Sequence, residues 1–181
     1  MNNLRKKSID YLSRREHSRL ELKQKLSQKN FSDSDIAAEL DFLISTDLQS
    51  DDRFAHAYVR SRKQAGFGPK RIELELRERG VAELLISAAI DAHSTEWQTQ
   101  MIAVLQRKFP HPAKNQAEKA PQFRFLSQRG YNADMINNLL FSKVEKCAQD
   151  NPDLPIEFVE ELLISVESDK SLAENFIFED E

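Results

Sequence analysis

Leucine recurs every 50 residues in this chain, at Leu26, Leu76 and Leu126, and the residues after each leucine keep the same register. The three segments read L-S-Q-K-N-F, L-R-E-R-G-V and L-S-Q-R-G-Y. The register runs on into Ile36, Ile86 and Ile136, then into Leu40, Ile90 and Leu140. Self-similarity at such a period marks a copied supersecondary unit, each copy burying its apolar face against the next. It predicts a long surface offered to a partner in place of an enclosed catalytic pocket.

The residue types match helices. Only four of the 181 residues are Gly, 40% are hydrophobic and 31% charged, and no stretch alternates apolar with β-branched residues. These features predict an all-α chain. The single Cys147 excludes an intramolecular disulfide and fits a reducing cytoplasm. The basic start, Met1 to Lys7, lacks the apolar stretch of a signal peptide, and no apolar run approaches the ~18 residues of a membrane span. A cytoplasmic protein without a membrane partner is expected. The net charge of −4 hides a split, with 24 Lys+Arg and 18 Asp+Glu over residues 1–144 but 2 and 12 over residues 145–181. A net +6 body is followed by a net −10 extension, so charge alone leaves the partner open.

Cap residues place the helices. Leu4 to about Arg15 reads as a first helix, and Ser18-Arg19-Leu20-Glu21 as a capping box opening a second that carries Leu22 and Leu26. Asn30, Gly80 and Gly130 share one repeat position, where a left-handed residue closes a helix. Ser32 caps a third helix with Ile36, Leu40, Leu43 and Ile44 inward. Asp51 and Asp52 start the next helix, with Phe54, Ala57 and Tyr58 on one stripe, and Pro69 opens the one after it. Further helices are expected over about Ala82 to Ala92 (Leu85, Ile86 and Ile90 inward) and Trp97 to Lys108 (Met101, Val104 and Leu105 inward). Pro121 is expected to begin a helix, and Asn132 to cap the last one with Met135, Ile136, Leu139 and Leu140. This gives three three-helix repeats, over residues 1–49, 50–95 and 96–146, forming an elongated, curved array. An acidic extension, 147–181, follows with one short amphipathic helix from Ile156 to Val166. Residues 150–181 either fold back on the basic face or form a solubilising tail.

Tyr11-Leu12-Ser13-Arg14-Arg15-Glu16-His17-Ser18, with Leu22, Lys25 and Leu26 beyond it, resembles the first repeat of the RecX family. Asp51 to Ala55 and Gly66-Phe67-Gly68-Pro69-Lys70-Arg71-Ile72 resemble the family's second-repeat signature, and Gln128-Arg129-Gly130-Tyr131 its third. The resemblance covers roughly residues 4–146. It implies a small all-helical regulator that lies in the groove of the RecA filament on DNA. Such a protein inhibits filament growth, ATP hydrolysis, strand exchange and coprotease activity in DNA repair and the SOS response. Asn30 stands where the family usually has Gly, and the acidic extension falls outside the family pattern.

The candidate contacts to RecA or DNA are the basic residues Arg14, Arg15, Arg19, Lys23 and Lys25 in the first repeat. Arg53, Arg60, Arg62, Lys63, Lys70 and Arg71 are those of the second. The first repeat has the densest basic surface. Glu16, His17, Ser18, Phe54, Gly66, Gly68, Pro69 and Gly130 carry the family signature and read as structural. Gly66-x-Gly68-Pro69-Lys70-Arg71 sets two cations at a helix start, where phosphate binds, but a tight turn into a helix explains it better. It lacks the spacing of a Walker motif. His17, His56, His93 and His111 show no ligand spacing, and no Ser/His/Asp order suggests a triad. No enzyme, metal or cofactor is expected. The expected partner of a monomer is the RecA filament, with DNA itself a second candidate. The competing reading is a helical-repeat module that binds DNA without RecA.

Overall fold

A computed structural model describes residues 3–111, 113 and 115–141. Cys147, the expected helix from Ile156 to Val166 and the acidic extension lie outside them. The described residues are all-α, as the composition predicts, with nine α-helices, one 3-10 turn at Ser94–Glu96 and no strand. They are α1 (Asn3–Leu12), α2 (Arg19–Ser27), α3 (Asp33–Ser45), α4 (Asp51–Gln64) and α5 (Pro69–Glu78). The remainder are α6 (Glu83–Asp91), α7 (Trp97–Lys108), α8 (Gln116–Gln128) and α9 (Ala133–Phe141).

The caps explain most of these limits. Ser18, Ser32 and Ser50 accept the backbone N–H groups of Glu21, Asp35 and Arg53 at 3.1, 3.1 and 3.3 Å, satisfying a donor that the first turn cannot. Asn30, Gly80 and Gly130 adopt φ of 57°, 74° and 88°, the left-handed closure expected at all three repeat positions. After the two glycines, the N–H groups of Val81 and Tyr131 return to the carbonyls of Leu76 and Leu126, both at 3.2 Å. The 50-residue period is therefore a period in helix termination as well as in core leucines.

The helix expected from Pro121 begins five residues earlier. Asn115 accepts from the Glu118 N–H at 3.0 Å and so starts α8 at Gln116, leaving Pro121 inside it. A proline there removes one intrahelical bond, but the Asn115 cap and the burial of Gln122 and Leu126 beyond hold the helix. The first helix ends sooner than expected, at Leu12.

The chain divides into two compact units, Met1–Ala65 with Ile72–Ser94, and Gly66–Arg71 with Thr95–Glu181. In the first, Leu4, Leu22, Leu26, Ile36, Leu40 and Leu43 form one cluster, with Tyr11, Leu12 and Phe31 at its margin. Phe54, Val59, Ile72, Leu76 and Ile86 are also buried there. Ile44, expected inward, is 42% exposed. It follows Leu43 by one residue, a 100° turn that carries it off the buried stripe. In the second unit Met101, Ile102, Leu105, Leu126, Tyr131, Ile136 and Leu139 make the core. The Tyr131 hydroxyl is buried with no hydrogen-bond partner among the described residues, and burial pushes its pKa up to about 12.

Candidate functional site

The Arg15-Glu16-His17-Ser18 string is short, yet it ties together distant parts of the first unit. The Ser18 hydroxyl caps α2 and donates to the Arg79 carbonyl at 2.8 Å. Glu16 accepts from Arg53 Nε at 3.0 Å, and the His17 carbonyl accepts from Gln49 Nε2 at 3.1 Å. His17 is 3% exposed, with Nδ1 3.0 Å from a Glu21 oxygen. A carboxylate only accepts, so Nδ1 carries the proton in the neutral ring. Burial, outweighing the Glu21 contact, lowers the His17 pKa below its ordinary 6.5.

Glu21 does not close the expected capping box onto the Ser18 N–H. Its carboxylate meets Arg15 Nη1 at 2.9 Å and Arg79 Nε at 3.3 Å as well as His17. Two cations and a buried imidazole outcompete a single backbone donor. Arg79 also covers the ring of Tyr58 at 4.6 Å. The Tyr58 hydroxyl donates to Glu75 at 2.8 Å, and burial with that bond pushes its pKa up to about 12. Phe54 is buried against the Tyr58 ring, centroids 5.6 Å apart.

The Gly66–Arg71 part of the second-repeat signature lies in the other unit. Gly66 adopts φ 84°, and Pro69 opens α5. The Gly68 N–H donates to the Arg129 carbonyl at 2.8 Å and the Lys70 N–H to the Gly130 carbonyl at 3.0 Å. These are donors that a phosphate at this helix start would need, and carbonyls already hold them. The backbones meet too closely for side chains. A Cβ on Gly68 would lie 2.5 Å from the Tyr131 nitrogen, and one on Gly130 would lie 2.3 Å from Arg71 Cβ. Positions 18 and 68, and 79 and 129, stand one period apart, so both units join the start of one second helix to the end of the next across 61 residues.

The cations divide by their neighbours. Arg14 pairs with Asp10 at 3.1 Å, Arg19 with Asp41 at 2.7 Å, and Arg53 with Asp47 at 2.6 Å besides Glu16. Arg62 pairs with Glu75 at 2.6 Å, Lys63 lies 3.2 Å from His93 Nδ1, and Lys25 sits 5.1 Å over the Tyr11 ring. Lys23, Arg60 and Lys70 are exposed and form no ion pair among the described residues. Over its described residues the first unit holds 15 Lys+Arg and 15 Asp+Glu, a balance of zero. The second holds seven cations (Lys70, Arg71, Arg107, Lys108, Lys119, Arg124 and Arg129) against Glu96, Glu118 and Asp134, a balance of +4. The basic excess of the described chain lies in the second unit, although the first repeat is denser in basic residues along the sequence.

Arg129, part of the Gln128-Arg129-Gly130-Tyr131 string, was not among the contact candidates read from the sequence. Its guanidinium lies 4.7 Å from the Phe125 ring and 5.8 Å from Phe67, and Nη1 donates to the Gly66 carbonyl at 3.3 Å. Arg71 covers Phe67 at 4.5 Å and donates to the Gln128 carbonyl at 3.3 Å. The repetition of arginine at 79 and 129 was the one available signal. The arrangement provides charged contact.

Comparison with known proteins identifies the family. Models of the first and second three-helix domains of RecX match residues 5–43 and 50–90. A regulatory protein RecX of Pseudomonas putida GB-1 is 41% identical over 138 residues, covering 76% of this chain and 88% of the relative. One from Pseudomonas fluorescens Pf-5 is 42% identical over 139 residues, covering 76% and 89%. The crystal structure of RecX from Lactobacillus salivarius superposes with a TM-score of 0.66 at 22% identity, over 76% of this chain and 92% of that one. At that identity the likeness shows the fold.

Proposed function

Because the chain belongs to the RecX family of regulatory proteins, we propose that it acts on the RecA recombinase. It binds the RecA filament on DNA and restrains filament growth, ATP hydrolysis, strand exchange and coprotease activity. The observation that carries this reading is the 41% identity to a regulatory RecX protein, spread over 88% of that relative. The described residues support it through what they are built to do. Helices α1–α3, α4–α6 and α7–α9 read as copies of one unit, linked at one register by the Ser18–Arg79 and Gly68–Arg129 bonds, and such copies present repeated surface to a repeated partner. The activity is binding, not catalysis.

DNA contact independent of RecA is the second reading, favoured by the +4 balance of the second unit. One binding measurement tests the two together. RecA filaments assembled on immobilised single-stranded DNA with a slowly hydrolysed nucleotide should retain the protein at a salt concentration that releases it from the same DNA without RecA. Equal retention on both surfaces would discard the RecA reading in favour of the second.

A further inference from the structure

We propose that the Gly66–Arg71 loop and the C-terminal half of α8 form a face for the phosphodiester backbone of DNA, with Arg71 and Arg129 set on Phe67 and Phe125 and with Lys70 and Arg124 on the same two segments. The inference rests on the RecA–DNA reading above and assigns its DNA contact to one unit. Three observations bring these residues together. The Lys70 N–H and Arg71 Nη1 donate to the Gly130 and Gln128 carbonyls, which places both cations at the end of α8. Arg124 lies four residues before Gln128 on the same helix, hence on the same side one turn back. Arg71 and Arg129 each lie over the Phe67 ring, and Arg129 over Phe125 as well.

The chemistry of this face suits a phosphate. A guanidinium resting on an aromatic ring keeps its plane fixed, and a fixed planar fork matches phosphate oxygens in a way that a mobile ammonium does not. Lys70 and Arg124 are exposed and form no ion pair among the described residues. In the first unit Arg14, Arg15, Arg19, Arg53 and Arg62 have carboxylate partners, so an anion bound by those five must displace an internal one, and only scattered cations such as Lys23 and Arg60 are left exposed without an ion pair among the described residues. An acidic protein surface carries related chemistry. However, protein interfaces centre on a buried apolar anchor, and Phe141, 47% exposed, is the one large exposed hydrophobic side chain described in this unit. The balance favours a polyanion.

The test is fluorescence anisotropy of a labelled oligothymidylate titrated with the full chain, without RecA, at several salt concentrations. Each lost phosphate contact on a single strand reduces the slope of log K against log salt by about 0.7. The double variant Lys70→Gln/Arg124→Gln should reduce it by about 1.4 and weaken binding several-fold at low salt. Lys6→Gln/Lys29→Gln, which removes equal charge from the first unit, should leave the slope unchanged, and circular dichroism confirms that both variants fold. Equal slopes for the two doubles would overturn the assignment. So would unchanged DNA affinity with weakened binding to DNA-free RecA, which would make the face a protein contact. Either result leaves inhibition of RecA by the unaltered chain standing, so the two claims fail separately.

Discussion

The Ser18 hydroxyl donates a 2.8 Å hydrogen bond to the carbonyl of Arg79, 61 residues later, and the Gly68 N–H makes the equivalent 2.8 Å bond to Arg129. Both link the start of one second helix to the end of the next. Ser18 has two jobs, since the same oxygen caps α2. Replacing it by alanine removes a cap worth ~1 kcal/mol and leaves the part-buried Arg79 carbonyl short of a donor, another ~1 kcal/mol or more. Ser18→Ala should therefore lose about 2–3 kcal/mol in urea unfolding, with an unchanged m-value. A loss below ~0.5 kcal/mol would show that the cross-repeat bond contributes nothing.

The glycines at this junction and the asparagine at the matching position should respond in opposite ways. Gly130 has φ 88° and no room for a Cβ beside Arg71. Gly130→Ala should cost about 2–4 kcal/mol, combining left-handed strain with displacement of the neighbouring backbone. Asn30 has φ 57°, is exposed, and already carries a side chain there. Asn30→Gly should change stability by less than about 1 kcal/mol. This also accounts for Asn30 standing at the repeat position that Gly80 and Gly130 fill. Asparagine tolerates the left-handed turn, and glycine is needed only where another second helix presses against it. Similar costs at both positions would refute that account.

How much of this was legible depends on the distance over which each feature is encoded. Ser18, Ser32, Asn30, Gly80 and Gly130 act on their own helix ends, so the sequence announces them. Pro121 misled because its local preference for a first turn gave way to Asn115, a stronger cap six residues upstream of where the helix was expected to open. The basic surface was the least legible. Arg53 finds Glu16 across 37 residues and Arg19 finds Asp41 across 22, pairings set by tertiary packing. Arg129 was read only as part of a signature string for the same reason, since its rings at Phe67 and Phe125 are brought together only by the fold.

His17 makes stability depend on pH. Its pKa is lowered in the folded chain, chiefly by burial, so the unfolded chain binds the proton more readily. Stability from the neutral ring is present in full above the ordinary value of 6.5 and is lost progressively as pH falls below it. The midpoint of urea unfolding should drop between about pH 8 and pH 5.5, and His17→Gln should flatten that drop. An equal drop in the variant would assign the dependence to other groups.

The central claim is that this chain restrains RecA, and RecA-catalysed ATP hydrolysis on single-stranded DNA tests it most directly. With the purified protein added at far below one molecule per RecA, during filament growth, the hydrolysis rate should fall progressively and then level off near a low plateau. DNA-only binding predicts a different pattern, with inhibition appearing only when the protein is abundant enough to cover the strand. A hydrolysis rate unchanged across the whole titration, up to equimolar protein, would contradict the account.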